Sequence, residues 1–244
     1  MPDPSFSVTA DDPVGESLLV GLTHPGIAGL SAVDHLVKHL DFEAIGYVET
    51  SGLPSIAPFE DGVPRQPLRL YTGEGVTVLV GETFLPLSVA EPFTGALFEW
   101  LAATPLEEVA LLHGIPYPHG PEDHDVSVVA TPDYRERRLG EHDIRTATGG
   151  FFDGVVGESL LRGLDPDQPA VGTFVTPSHP PGPDLEAALR LLDAIQRVYD
   201  LEVAEEALAA QIERMRAYYD ELAERMTSME ETAPREFSED RMYM

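Results

Sequence analysis

Cysteine is absent from this 244-residue chain. Its absence excludes disulfides, thiolate nucleophiles and every cysteine-ligated zinc or iron–sulfur centre. Lysine is reduced to a single residue, Lys38, so arginine supplies all other strong bases. Lysine and arginine together number 15 against 43 aspartates and glutamates, a formal charge of -28. Direct binding of DNA or RNA needs clustered cations, and the nearest approach is Arg135, Arg137 and Arg138, which is no basic patch. No apolar run approaches the roughly 18 residues of a membrane span, and Met1-Pro2-Asp3-Pro4 does not open a secretory signal. A cytoplasmic location with no membrane contact is the expectation.

The acids are spread along the whole chain and form no block. Such a surface repels itself in dilute buffer, whereas molar salt shortens the screening length to about 3 Å and quiets the repulsion. The charge therefore reads as adaptation to high salt. A hydrophobic content of 43% is enough for a real core.

Hydrophobic periodicity predicts strands at Ser17 to Thr23, Ala44 to Val48, Leu68 to Tyr71, Val76 to Val80, Glu108 to Leu112, Val126 to Ala130 and Val171 to Thr176. Helices are predicted at Ile27 to Leu40, Ser88 to Ala102, Gly149 to Leu161, and from an Asp184 cap to Tyr199. Strands alternating with helices make an α/β fold with helices on both faces of a central sheet. Thr72-Gly73-Glu74-Gly75 has the spacing of a hairpin, which makes that sheet mixed.

Beyond residue 200 the pattern changes. Leu201, Ala204, Leu208, Ile212, Met215, Tyr219, Leu222, Met226 and Met229 recur every three or four residues, the seam of a long amphipathic helix. Leu208, Ile212, Met215, Tyr219 and Leu222 are its candidate oligomer or partner contacts; packing on the chain's own domain is the equal alternative. The polar stretch after Met229, containing Pro234, is expected to be a mobile tail able to reach about 50 Å when stretched. The expected organisation is an α/β domain over 1–200, the long helix over 201–230 and the tail over 231–244.

Candidate chemistry is sparse. Gly26-Ile27-Ala28-Gly29 lies between a strand and a helix, where backbone amides could cradle an anion. It lacks the third glycine of a dinucleotide fingerprint and the Gly-Lys-Ser/Thr of a P-loop, and small residues there also let helix and sheet approach. Gly149, Gly150, Gly154 and Gly157, interleaved with Phe151, Phe152 and Val155, read as a packed helix start. His113, His119 and His124 with Asp123 and Asp125 are donors suited to a metal, yet their spacing matches no named site. His24 and His179, each beside a proline, read as loop residues. No Gly-x-Ser-x-Gly elbow is present. The expectation is no catalytic residue, no metal and no cofactor, with Gly26, Gly29, His113 and His119 as a weak ligand-site candidate.

The chain end stands apart. Met242-Tyr243-Met244 places a terminal carboxylate at a fixed distance from a tyrosine and an apolar residue, a combination a partner can capture as a unit. The carboxylate seeks a lysine or backbone amides, Met242 an apolar slot, and Tyr243 a groove with an acceptor for its hydroxyl.

Taken with Gly26-Ile27-Ala28-Gly29, the loop His113-Gly114-Ile115-Pro116 with Pro118-His119-Gly120, Gly149-Gly150-Phe151-Phe152-Asp153-Gly154, Thr176-Pro177 and Asp184-Leu185-Glu186-Ala187-Ala188, the sequence resembles the archaeal proteasome assembly chaperone family, especially its haloarchaeal members. The resemblance covers most of the chain. It implies a nucleoside phosphorylase-like α/β fold without the catalytic apparatus, assembly as a homo-oligomer, and C-terminal tails that bind the α-ring of the 20S proteasome without ATP. Met242, Tyr243 and Met244 match the hydrophobic, tyrosine and terminal positions of that tail. The alternatives are a phosphorylase- or hydrolase-like enzyme acting on a nucleoside or other small molecule, and a scaffold joined by the long helix.

Overall fold

The computed structural model describes residues 4–120, 123–140, 142–179, 182–215 and 217. They fall into two units divided after Glu205. The first is built on a nine-stranded mixed sheet. Its strands are β1 (Ser5–Ala10), β2 (Ser17–Thr23), β3 (Glu43–Ser51), β6 (Leu68–Gly73), β7 (Val76–Phe84), β8 (Glu108–Ile115), β9 (Ser127–Ala130), β10 (Arg145–Thr146) and β11 (Ala170–Pro177). The two-residue strands β4 (Phe59–Glu60) and β5 (Val63–Pro64) form a separate ribbon.

The sheet order is β1-β3-β6-β7-β2-β8-β11-β9-β10. At its centre β7, β2, β8 and β11 are parallel neighbours, while β1, β3 and β6 pair antiparallel on one side and β9 runs antiparallel to β11 on the other. The central strands are buried on both faces, as their continuous apolar runs require: β8 is buried from Glu108 to Gly114 and β11 along its whole length. The hairpin expected at Glu74-Gly75 joins β6 to β7. Both of its turn residues have positive φ, 49° and 76°, the twist that suits antiparallel strands.

Helices α1 (Ala28–His39) and α5 (Leu185–Tyr199) pack together over β2, β8 and β11. On the opposite face α2 (Ala90–Leu101) and α4 (Gly154–Arg162) cover a core of Leu18, Val20, Leu79, Phe93, Leu97, Phe98, Val109 and Leu111. Alternation along β2 assigns Leu18 and Val20 to that core, and turns Gly21 toward Val33 of α1. A short helical turn, α3 (Pro132–Tyr134), runs on into a π-turn at Arg135–Leu139. The α/β class, the mixed sheet and the helices on both faces are as the sequence predicts.

Local departures have identifiable causes. Strand β1 was not anticipated, although Phe6, Val8 and Ala10 alternate with the more exposed Ser5, Ser7 and Thr9. The helix expected from Gly149 begins only at Gly154, because Gly150 has φ 141° and residues 147–153 are irregular. The expected close packing of Gly149, Gly150 and Phe151 is likewise corrected: a Cβ at either glycine would meet nothing within 4 Å, and Phe151 is 91% exposed. Gly154, Val155 and Gly157 do fit that reading: a Cβ on Gly154 would lie 3.3 Å from Leu87 Cδ2 and one on Gly157 2.6 Å from Phe152 O, and Val155 is buried. Asp184 does cap α5, accepting from Ala187 N at 2.9 Å. That helix stops at Asp200 in the left-handed conformation.

In the second unit a helix covers 206–215 and does not start at Leu201. Leu208 and Ile212 are buried and Met215 half-buried, while the residues between them are exposed, the periodicity of one apolar side. Tyr219, Leu222, Met242, Tyr243 and Met244 lie outside the described residues. Among the described residues no helix is long and apolar enough to cross a membrane.

Candidate functional site

Because β7, β2, β8 and β11 are parallel, their carboxyl ends share one edge, and the loops that follow them collect there. From β2 the chain reaches β7 on one side and later β8 on the other, so the strand order reverses at β2. Ligands of open α/β sheets bind outside the carboxyl ends of strands at such a switch point. His113 stands near the carboxyl end of β8, and the loops at this edge carry His24, His119, His124 and His179.

The turn after β2 is held tightly. Ile27 N donates to His24 O at 2.8 Å, and Ile27, with φ 41°, enters α1 through the left-handed region with no side-chain cap. A β-branched residue in that region is strained. The loop after β11 fastens the turn: Asp184 N donates to Gly26 O at 2.8 Å and Ser178 Oγ to Pro25 O at 3.2 Å. A Cβ on Gly29 would lie 1.9 Å from Leu112 O, and one on Gly21 would lie 2.4 Å from Gly29 O. Of the two readings of Gly26-Ile27-Ala28-Gly29, close approach of helix to sheet is the one these distances favour.

Gly29 and His113 meet at this turn, His113 following the very strand residue that Gly29 abuts. The His113 ring stands edge-on to His24, with centroids 4.2 Å apart, and is 6.1 Å from Phe152. Only 8% of His113 is exposed. Burial, with the neighbouring His24 adding to it, pushes its pKa down to about 3. Burial also lowers His24, partly offset by the Asp153 carboxylate. Both imidazoles are therefore neutral at pH 7. They line a cleft of about 260 Å³ with Phe84, Leu87, Asp153 and Val155, largely apolar with a few polar groups. A neighbouring cleft of about 570 Å³ is lined by Tyr117, Asp125, Arg145, Phe151, Phe152 and Thr176. The open Gly149–Gly150 loop borders it, which explains why those glycines have no packing partner.

His119 belongs to a different group. The rings of His119, His124 and His179 form a triangle with centroid separations of 4.8, 4.9 and 5.2 Å. His119 Nδ1 lies 2.6 Å from Tyr117 O, and the Nε2 atoms of His119 and His124 are 2.8 Å apart. His179 Nδ1 lies 2.8 Å from Asp184 Oδ2, which also accepts from His179 N at 2.8 Å. Pairing of β8 with β11 creates the triangle: Ile115 opposes Pro177, and Ser178 N donates to Ile115 O at 2.9 Å, so the two loops leave the sheet side by side. His179 lies in a loop, as the sequence predicts, but the grouping of His113 with His119 and His124 is replaced by one in which His179 takes the place of His113. No local spacing signals this, since the loops are neighbours only through the sheet.

At the opposite, amino edge, the polar residues are consumed by one another. Glu108, 2% exposed, accepts from Ser17 Oγ at 2.6 Å and Arg138 Nε at 2.5 Å. Arg138 also donates to Ser17 Oγ and lies over the Tyr199 ring, and Tyr199 shares a 2.7 Å hydrogen bond with Tyr134. Burial pushes both phenols up, so neither ionises at ordinary pH. Arg137 pairs with Glu107. Two of the three arginines considered as a basic cluster are thus held in ion pairs.

The sequence profile of the PAC2 family matches residues 18–223. No curated protein sequence matches the chain. The fold is similar to PbaA of Pyrococcus furiosus, described as an archaeal homolog of proteasome-assembly chaperone, with a TM-score of 0.83 at 19% identity over 93% of this chain and 95% of that one. PbaB of the same organism, described as an archaeal proteasome activator, gives 0.75 at 16% identity over 91% and 100%. A Thermoplasma acidophilum protein of unknown function gives 0.71 at 22% identity over 91% and 90%.

Proposed function

The chain belongs to the PAC2 family, and from that premise we propose that it is a non-enzymatic, ATP-independent assembly chaperone or cap of the 20S proteasome, binding the α-ring through Met242, Tyr243 and Met244. The observation that carries this reading is the conjunction of a fold like that of PbaA and PbaB with the Met-Tyr-Met sequence at the end of the chain. In a chain that ends at Met244, the carboxylate, the tyrosine ring with its hydroxyl and the Met242 side chain are three anchors of different chemistry at fixed spacing. A pocket between α-subunits with a cation, a groove and an apolar slot accepts all three together.

Assembly as a homo-oligomer belongs to the same proposal, with the apolar side of the long helix as its contact; Leu208 and Ile212 are already buried within the single chain, which favours packing on the chain's own residues at those two positions and leaves Met215, Tyr219 and Leu222 for a second copy. Several tails on one oligomer raise the avidity of a weak single contact by about 10² to 10⁴ where they span the pockets. Light scattering on a chain ending at Glu205 tests the helix: an unchanged mass removes it from the interface.

The setting proposed is a salt-rich cytoplasm, which the formal charge of -28 supports. The thermal midpoint then rises steeply from dilute buffer to molar KCl, and a midpoint independent of salt contradicts the setting. The enzymatic alternative took its phosphate-binding motivation from Gly26 and Gly29. The approach of Gly29 to Leu112 O removes most of that motivation.

The test is a pull-down of proteasome α-subunits in molar KCl by the intact chain and by a chain ending at Arg241, both first shown to be folded. Retention by the intact chain alone supports the reading. Equal retention by both sinks the tail, and retention by neither sinks the proteasome partner.

A further inference from the structure

We propose that His119, His124 and His179 form a binding site for a divalent transition-metal ion of the zinc class, with Asp184 as the positioning residue of His179. One ring nitrogen from each histidine lies within 4.8 Å of the others. Two imidazole nitrogens bound tetrahedrally to zinc at about 2.0–2.1 Å are separated by about 3.3 Å. The observed 2.8 Å between His119 Nε2 and His124 Nε2 and the 4.8 Å limit of the group bracket that separation. Small rotations of exposed rings close the set.

Ring orientation separates this group from a chance gathering of histidines. A ligating imidazole donates its other N–H to a carboxylate or backbone carbonyl, which fixes the tautomer and raises the basicity of the ligating nitrogen. His179 has such a partner in Asp184 Oδ2, and His119 has one in Tyr117 O. Each arrangement uses Nδ1 and leaves Nε2 with its lone pair to ligate. Asp184 is itself held in place, since its Oδ1 caps α5 through Ala187 N and its Oδ2 accepts from His179 N. The 2.8 Å between the Nε2 atoms of His119 and His124 fits His119 with its proton on Nδ1 and His124 donating from Nε2; to ligate through Nε2, His124 takes the other neutral tautomer, its proton passing to Nδ1 by way of solvent.

Among the described residues the group offers three imidazole nitrogens, a donor set that suits ions of the zinc class better than thiolate-preferring ions or the oxygen-seeking Mg²⁺ and Ca²⁺. Zn²⁺ accepts three imidazoles and keeps a fourth position for water. The ion joins the loop between β8 and β9 to the loop between β11 and α5, clasping the edge where the Gly26 turn is also fastened. The three histidines and Asp184 all belong to the first unit, so the metal titration and the α-subunit pull-down read different residues.

The experiment is a titration of the chelator-stripped full chain with Co²⁺ in molar KCl, with excess Mg²⁺ to occupy surface carboxylates, followed by displacement with Zn²⁺. The expected result is one Co²⁺ per chain with the intense ligand-field band of a four-coordinate site, abolished in the His119→Ala/His179→Ala double variant. Asp184→Asn retains an oxygen for the α5 cap but offers His179 Nδ1 an N–H donor, which favours the wrong tautomer. It should weaken Co²⁺ binding about 10- to 100-fold. Circular dichroism checks that the variants are folded, and a chain ending at Arg241 should bind as the intact one does. Absence of a four-coordinate band, or equal binding by the double variant, overturns the proposal.

Discussion

The two edges of the parallel strands use similar residues to opposite ends. At the amino edge Glu108, Ser17, Arg138, Tyr134 and Tyr199 close a network in which each named group bonds to another member. At the carboxyl edge two loops bring three histidines together: His119 is oriented by a backbone carbonyl and His179 by Asp184, and the Nε2 atoms of His119 and His124 face one another. A polar cluster that satisfies itself fixes the architecture, whereas one that is oriented but incomplete is suited to a ligand. The glycines differ in the same way: Gly29 is pressed against the sheet, and Gly149 borders open space.

Substitutions at the two edges should differ in kind. The largest effect is expected at the amino edge, where Arg138→Met leaves Glu108 buried without its cation. A loss of about 3–5 kcal/mol is predicted from urea unfolding, with Co²⁺ binding by the folded chain unchanged. A loss under about 1 kcal/mol would mean that water reaches Glu108 and that this edge is no closed network.

Next comes Gly29→Ala, whose Cβ would collide with Leu112 O and force α1 off the sheet. It should cost about 1–3 kcal/mol, against no more than about 0.5 kcal/mol for Gly149→Ala at the open loop. Similar costs at both positions would erase the contrast between the glycines.

A smaller, pH-dependent effect is expected at His113. Burial lowers its folded-state pKa to about 3, so the folded chain binds this proton less well than the unfolded chain does. Its contribution to stability is complete above about pH 6.5 and is lost as the pH falls below that value, by about 2 kcal/mol at about pH 5. Unfolding of His113→Gln should lack this component. Identical pH dependence in both proteins would mean that His113 takes up a proton without unfolding.

Legibility in the sequence followed the range of the interactions. Strand β2, the Glu74-Gly75 turn and the Asp184 cap are encoded within a few residues, and they stand where periodicity and turn chemistry put them. Glycine composition misled at Gly149, because the same residues serve a helix start or an open loop, and only the neighbours decide. The histidine triangle was not legible, since His119 and His179 become neighbours through the pairing of β8 with β11. The family resemblance was legible because it is carried by contiguous segments, and the profile match over 18–223 includes most of them.

Docking of this PAC2-family chain on the proteasome through its last three residues is the proposal to be tested. Its most direct test is the affinity for immobilised α-rings in molar KCl of three proteins with matched thermal midpoints: the intact chain, Tyr243→Ala and the chain ending at Arg241. The expected result is at least a tenfold weakening for Tyr243→Ala, the loss of about one hydrogen-bonded aromatic anchor, and no measurable binding for the truncated chain. Equal affinity in all three would contradict it and move the partner surface to the folded α/β unit.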